Sequence, residues 1–453
     1  MSGTYHDMPA RALGAEIEKG ALDPRELTEY FLARIKADPF SERIFTHVLA
    51  TRARAEAAAA AERARSGLRR SPLDGVPITY KDLFDTKGCE TTAGSTLLSG
   101  NMPARDAALV ENLARAGLVT LAKTTMTELA FSGLGLNPYF GTPPNPFDET
   151  CERAPGGSSS GAGVALARGL CAASIGTDTG GSVRIPASWN GLTGLKTTAG
   201  RISLQGAVPL SPSLDTAGPL TKDVEDAALL FALMAGVKAP DLSHPRKRDT
   251  HVLIARGIGF GDLSPGIGEA VEHALRLFSK RGIHIKETKL PVLDEMNALT
   301  WQAPNLLAAE AYALWGEAIE KAPEKMFAPV LKRFRMGQNP DSAALGAKWK
   351  RREELRRLYL EETAGYDAVL LPTVSLSPPP IEGLMEDDAA YGKANVSALR
   401  NTTLGNQLGL AAITLPVGKD ALGLPVGLMA MGAPHGEERL LRLGRCLESV
   451  LHP

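Results

Sequence analysis

Apolar positions recur at helical spacing from Pro9 to about Ser66. PARALGAEIEKG is the first such stretch, Asp23 is placed to cap PRELTEYFLARIKA, and an alanine-, arginine- and glutamate-rich run fills Thr51 to Arg65. The pattern then changes. Short apolar runs, Val76 to Tyr80 and Leu118 to Ala122, alternate with helical stretches, Asp106 to Ala116 and Ser159 to Arg168, as far as about Leu230. Such alternation predicts an α/β core with a largely parallel or mixed sheet. VLIARGIG, Val252 to Gly259, resumes the sheet after DLSHPRKRDT, whose basic run reads as a solvated connection. From about Met296 to Leu360 the chain is helical and arginine-rich at its end, and Tyr366 to Thr373 returns as a strand. No repeat or low-complexity linker interrupts the chain, so one domain over residues 1–453 is expected. Its parts are N-terminal helices in 1–66, a motif-bearing core over 73–230 and a variable helical region over 296–360.

Composition narrows the function classes. With 44% hydrophobic residues and a formal net charge of −1, the chain can bury a large core and has no electrostatic bias toward nucleic acid or membrane. MSGTYHDMPARALGAEIEKG lacks the apolar centre of a signal peptide, and no apolar run approaches a membrane span. A cytoplasmic location and a small-molecule partner are therefore expected, with a homodimer as the candidate assembly. Cys89, Cys151, Cys171 and Cys446 show neither CxxC spacing nor paired histidines, so no zinc site, cofactor or disulfide framework is expected.

The candidate chemistry lies between Arg153 and Ala187. Two serine- and glycine-rich blocks, APGGSSSGAG (Ala154 to Gly163) and IGTDTGGSVRIPA (Ile175 to Ala187), stand there with no histidine near them; the nearest on either side are His47 and His244. A serine needs a base to act as a nucleophile at neutral pH. GGSSSGAG lacks the GK[ST] ending of a phosphate-binding loop, and its glycines lack dinucleotide-site spacing. Upstream, the strand-like run Val76 to Tyr80 delivers Lys81 to its end. A lysine buried among apolar groups loses its preference for the charged form and becomes a competent base.

In order and spacing these blocks resemble the amidase signature family of serine hydrolases. The resemblance extends through GLTGLKTTAGRIS (Gly191 to Ser203), SLDTAGPLTKDVEDAALL (Ser213 to Leu230), LLPT (Leu370 to Thr373) and GLPVGLMAMG (Gly423 to Gly432). It implies a mixed twisted sheet covered by helices and a catalytic relay of Ser182 as nucleophile, Ser158 as bridge and Lys81 as base. Ser182 follows Ser158 by 24 residues, the family's spacing, although Ser160 replaces the glycine usual after the second serine. It also implies a cis peptide at Gly157-Ser158 and an oxyanion hole from the backbone N–H groups of Thr179, Gly180, Gly181 and Ser182. Asp178 and Arg184 read as a pair fixing the loop, Thr177 and Thr179 as hydroxyls satisfying turn backbone, and Ser159 as a loop-positioning residue.

For the substrate pocket, the resemblance points to Phe131 to Phe140 and to the later helical region. Phe131, Tyr139, Phe140, Trp301, Tyr312 and Trp315 are the candidate lining residues, and their aromatic character predicts a hydrophobic or aryl group on the amide. Esters and carbamates, as in a urethanase, are further candidate substrates. The competing function is the glutaminase component of a tRNA-dependent amidotransferase. That component should carry an acidic residue shortly before NxxGL to hold the glutamine ammonium, and this chain has Leu399-Arg400 ahead of Asn406 to Leu410.

Overall fold

The architecture comes from a computed structural model, which describes residues 4–243 and 247–452. His244, and with it part of the basic run after Leu242, lies outside the described residues. Eleven strands form one mixed sheet. In chain order they are β1 (Phe45–Val48), β2 (Pro77–Lys81), β3 (Val119–Thr124), β4 (Ala173–Thr177), β5 (Thr193–Lys196), β6 (Ala217–Thr221), β7 (His251–Arg256), β8 (His284–Lys289), β9 (Ala368–Pro372), β10 (Ala412–Lys419) and β11 (Pro425–Met431). Their spatial order is β1-β3-β2-β4-β6-β5-β10-β11-β9-β7-β8. The trio β3-β2-β4 is parallel, as is β9-β7-β8, and the strands between them run antiparallel.

Burial explains the strand compositions. Every residue of β2, β3, β4, β5 and β6 is buried, because helices cover both faces of the sheet there. At the far edge, β8 reads HIKETK and is mostly exposed, and its charges discourage further strand pairing. Helices follow local signals. The Asp23 carboxylate accepts the Arg25 N–H at the start of Pro24–Ala37, and Asp223 accepts the Asp226 N–H at the start of Val224–Ala235, which ends on Gly236 in the left-handed region.

One expectation needs correction and another gains detail. Residues 1–66 are not all helical, since Phe45–Val48 is an edge strand antiparallel to β3. Four residues are too few to show a period of two, and pairing with a long-range neighbour decides their state. The stretch 296–360 is helical as expected, in separate pieces. It lies across the helices Pro291–Trp301, Leu306–Lys321, Ala328–Arg335 and Ser342–Thr363, broken at Pro304, Pro323 and the capping residues Asn305 and Asp341.

For function, the decisive feature is the pairing of β2 with β4. These parallel neighbours align Ile78 with Ala173 and Tyr80 with Ile175. Their carboxyl ends therefore lie side by side, bringing Lys81 level with the start of the GTDTGGS loop. Open α/β sheets place ligand sites at the carboxyl ends of parallel strands.

Candidate active site

Lys81 is the last residue of β2 and is fully buried. Its Nζ lies 2.6 Å from Ser158 Oγ and 2.8 Å from Thr177 Oγ1. Burial pushes its pKa down to about 7, against the opposing pull of Asp215 and Asp178. Lys123 and Lys196 are as deeply buried, and comparing them isolates what is particular to Lys81. Lys123 pairs with the Asp82 carboxylate at 2.7 Å, and Lys196 donates to the Thr197 and Leu410 carbonyls at 2.7 Å each. Lys81 alone of the three contacts a serine hydroxyl, and its hydrogen-bond partners are both hydroxyls, which can hand it a proton.

Ser158 sits in the loop before the helix Ser160–Ala167. That loop is clamped along its backbone, Gly156 N–H to Leu134 O, Gly157 N–H to Gly133 O and Thr127 N–H to Ser158 O. A Cβ at Gly157 would lie 2.5 Å from the Gly135 nitrogen, so only glycine permits this approach. The Gly157-Ser158 peptide is cis. Ser159 N–H donates to Ser182 O at 3.3 Å, joining the two serine-rich loops, and Ser159 Oγ reaches Thr177 O at 3.4 Å.

Ser182 lies between β4 and the helix Arg184–Trp189, in a loop shaped by a buried ion pair. Asp178 and Arg184 are both fully buried, 2.9 Å apart. Asp178 also accepts from the N–H groups of Gly181 and Val183, while Arg184 donates to Thr402 O and Asn406 Oδ1. Burial alone would raise the Asp178 pKa, but the Arg184 charge and hydrogen bonds hold it well below the usual carboxylate range. From the other side, the Thr402 and Thr403 hydroxyls donate to Gly180 O at 2.7 and 3.2 Å. Gly181 adopts φ 136°, and a Cβ there would lie 2.2 Å from Thr402 Oγ1.

These restraints revise the expected oxyanion donors. The Gly181 N–H is spent on Asp178 Oδ1 at 2.8 Å, because the carboxylate that orders the loop lies on its inner side. Among the described residues, the N–H groups of Thr179, Gly180 and Ser182 make no hydrogen bond. Those three residues border a cleft beside Ser182. The threonine readings change as well. Thr177 is a partner of Lys81 rather than a turn residue, and the Thr179 hydroxyl donates to Asp215 Oδ1 at 2.6 Å.

The aromatic candidates divide. Phe131 and Trp301 line the cleft with Ser182, Leu210, Leu307 and Leu399. Tyr139 and Phe140 do not, since their N–H groups close a turn on Asn137 Oδ1 that leaves Tyr139 at the surface. Tyr312 packs against Gly316 on its own helix and reaches Glu320, and Trp315 Nε1 donates to Pro209 O, tying that helix to the loop before Asp215. Tyr312 and Trp315 share one face of their helix, while Trp301 ends the preceding helix, and of the three Trp301 meets the cleft.

Sequence reasoning missed the polar wall. Ser132, Thr300, Asn305, Arg333, Thr403 and Gln407 also line the cleft. The half-buried Arg333 has no hydrogen-bond or ion-pair partner among the described residues, and its Nε is buried and unsatisfied. The guanidinium lies 4.5 Å from the Phe131 ring centroid, and burial lowers its pKa to about 10. Among the described residues, no carboxylate lines this cleft. Leu399 stands in its wall, whereas Arg400 turns away to Gly261 O and Asp262. No group of three or more histidine, cysteine, aspartate or glutamate residues among the described residues is arranged to hold a metal ion. No helix among the described residues is long and apolar enough to cross a membrane.

Comparison with known proteins accords with this arrangement. The Amidase family profile matches residues 26–441. A 2-amino-5-chloromuconic acid deaminase from Comamonas testosteroni is 37% identical over 413 residues, covering 88% of this chain and 87% of its own. A glutamyl-tRNA(Gln) amidotransferase component from Anaeromyxobacter dehalogenans is 41% identical over 294 residues, 62% of this chain and 59% of that protein. Among solved structures, an amidase superposes with a TM-score of 0.87 at 34% identity, covering 98% of this chain and 99% of that one. A peptide amidase bound to chymostatin gives 0.80 at 26% identity, covering 99% and 98%. The chain belongs to the amidase family and is a hydrolase of amide C–N bonds.

Proposed function

We propose that this amidase cleaves small amides through a Ser182, Ser158 and Lys81 relay, on substrates whose acyl portion carries a carboxylate. The observation that carries the relay is the 2.6 Å contact between Lys81 Nζ and Ser158 Oγ, made by a lysine with no carboxylate partner among the described residues. Ser182 Oγ bonds to the carbonyl carbon while its proton passes to Ser158, whose own proton passes to Lys81. The N–H groups of Thr179, Gly180 and Ser182 receive the oxyanion. The C–N bond then breaks as the relay returns a proton to the departing nitrogen. Water, activated by the same relay, releases the acid and restores Ser182. In this reading residues 1–453 act as one catalytic domain, with the relay in 73–230 and a cleft wall from 296–360. Esters and carbamates present the same carbonyl geometry and are expected side substrates.

Because the relay needs a neutral Lys81, kcat/KM should rise with pH through about 7 and reach a plateau on the alkaline side. The proton must leave the lysine before the lysine can accept one, which sets the sign. A profile that falls across that range would contradict a lysine base.

Arg333 supports the carboxylate. A cation in a cleft wall with a buried, unsatisfied nitrogen is an incomplete ion pair, and a substrate carboxylate would complete it. The relative from Comamonas testosteroni is named for an acid whose C–N bond it breaks. Truncating one partner of such a pair costs about 2 kcal/mol or more, so Arg333→Leu should lower kcat/KM for a dicarboxylic acid monoamide by about 30-fold or more. The uncharged amide of the same size should lose far less. Equal losses on both would remove the carboxylate from the proposal.

The second reading, the glutaminase component of an amidotransferase, is favoured by the similarity to the Anaeromyxobacter dehalogenans protein. The cleft argues against it. Leu399 stands in a wall that holds no acid among the described residues, so the ammonium of glutamine would be left unpaired. Ammonia release from glutamine, measured beside release from a dicarboxylic acid monoamide, separates the two readings.

A further inference from the structure

A second cavity adjoins the Ser182 cleft and shares Ala130, Thr179 and Leu210 with it. Its remaining walls are Leu83, Leu204, Ala207, Val208, Pro209, Pro212, Thr177 and Asp215. We infer that this cavity is the subsite for the departing amine and that it takes an apolar alkyl or aryl substituent on the amide nitrogen. The inference rests on the relay reading above.

The position of the cavity carries the argument. In that mechanism the departing nitrogen receives its proton from Ser158, so it must leave on the side of the carbonyl that faces the relay. Thr177 borders the second cavity and not the first, and its Oγ1 shares Lys81 Nζ with Ser158. Arg333 borders the first cavity and not the second. The shared wall at Ala130, Thr179 and Leu210 is then where the scissile bond crosses from one to the other.

The lining sets the chemistry of the occupant. Among the described residues Asp215 is the one charged group there, and its oxygens are already engaged. Oδ1 accepts from Thr179 Oγ1, and Oδ2 accepts from the N–H groups of Leu210 and Ser211 at 2.9 and 3.0 Å. What remains is a wall of leucine, valine, proline and alanine, with Pro209 and Pro212 at the solvent-exposed rim. Such a surface gains from covering an alkyl or aryl group, and ammonia would leave it unfilled.

The test uses the primary amide, the N-butyl amide and the anilide of one dicarboxylic acid, measured on the full chain. The wild type is expected to hydrolyse all three. Val208→Phe, which fills the cavity from a half-buried loop position, should lower the ratio of kcat/KM for the N-butyl amide to that for the primary amide by about tenfold or more. Leu204→Ala should move the anilide ratio in the opposite direction. Hydrolysis of the primary amide with both substituted amides untouched, or ratios that neither variant moves, overturns the subsite. Loss of turnover on all three substrates in the wild type would instead count against the relay.

Discussion

Lys81→Arg should be nearly as inactive on amides as Lys81→Ala, with kcat/KM lowered by about 10³-fold or more, toward the upper part of the range for a lost general base. Arginine keeps the positive charge and much of the bulk, but its guanidinium does not deprotonate in a protein. The two variants together therefore separate a base from an electrostatic anchor. If Lys81 only supplied charge to Ser158 and Thr177, arginine would retain much of the activity, and an active arginine variant would overturn the relay. Lys81 is fully buried at the end of β2, so folding must be checked beside activity. A thermal melt and the pH profile of the residual rate suffice. Loss of the alkaline rise around pH 7 in Lys81→Ala is a signature that misfolding would not imitate.

Ser182→Ala should lose about 10⁴-fold or more in kcat, since removing a nucleophile leaves only binding and oxyanion stabilisation. The fold should survive. The backbone around Ser182 is held by Asp178, Arg184, Thr402 and Thr403, and the Ser182 hydroxyl takes no part in those bonds. A serine-directed phosphonate should label Ser182 in the wild type, read by mass spectrometry of the modified peptide. Labelling of Ser158 or Ser159 in its place would reverse the assignment of nucleophile and bridge. Ser158→Ala should break the relay yet retain slow turnover where water takes the place of the lost hydroxyl. The three serine and lysine variants touch one proton path, so their losses should not add.

The chain's repeating pattern made the α/β class legible, because a buried parallel strand and an amphipathic helix differ in period and length over enough residues to be seen. It did not reveal β1, a four-residue strand whose state depends on β3, more than 70 residues away. The family resemblance that the motifs carry singled out Lys81, Ser158 and Ser182, and the fold brings Lys81, at the end of β2, into contact with Ser158 in a loop held by Thr127, and with Thr177 at the end of the neighbouring β4. Local chemistry also announced the Asp178 and Arg184 pair, six residues apart. It did not announce that the Gly181 N–H would be consumed by that aspartate, which depends on how the loop folds back on itself.

The cleft wall was least legible. Aromatic residues in 296–360 drew notice by type, yet type does not say which side of a helix meets the cleft. Only Trp301 of those candidates lines it; Tyr312 and Trp315 point elsewhere. Arg333 stood unremarked, because an arginine is informative only when its partners are known, and partners are a property of the tertiary structure. The sequence by itself determined the fold class, the family and the three positions of the proposed relay, since periodicity and motif spacing are local quantities. Tertiary structure alone decided that Thr177 joins Ser158 beside Lys81, and, among the described residues, which amides of the loop stay unbonded and which cation stands unpaired in the cleft. Each of those is a balance of hydrogen bonds and desolvation among groups far apart in the chain, and no local pattern records it.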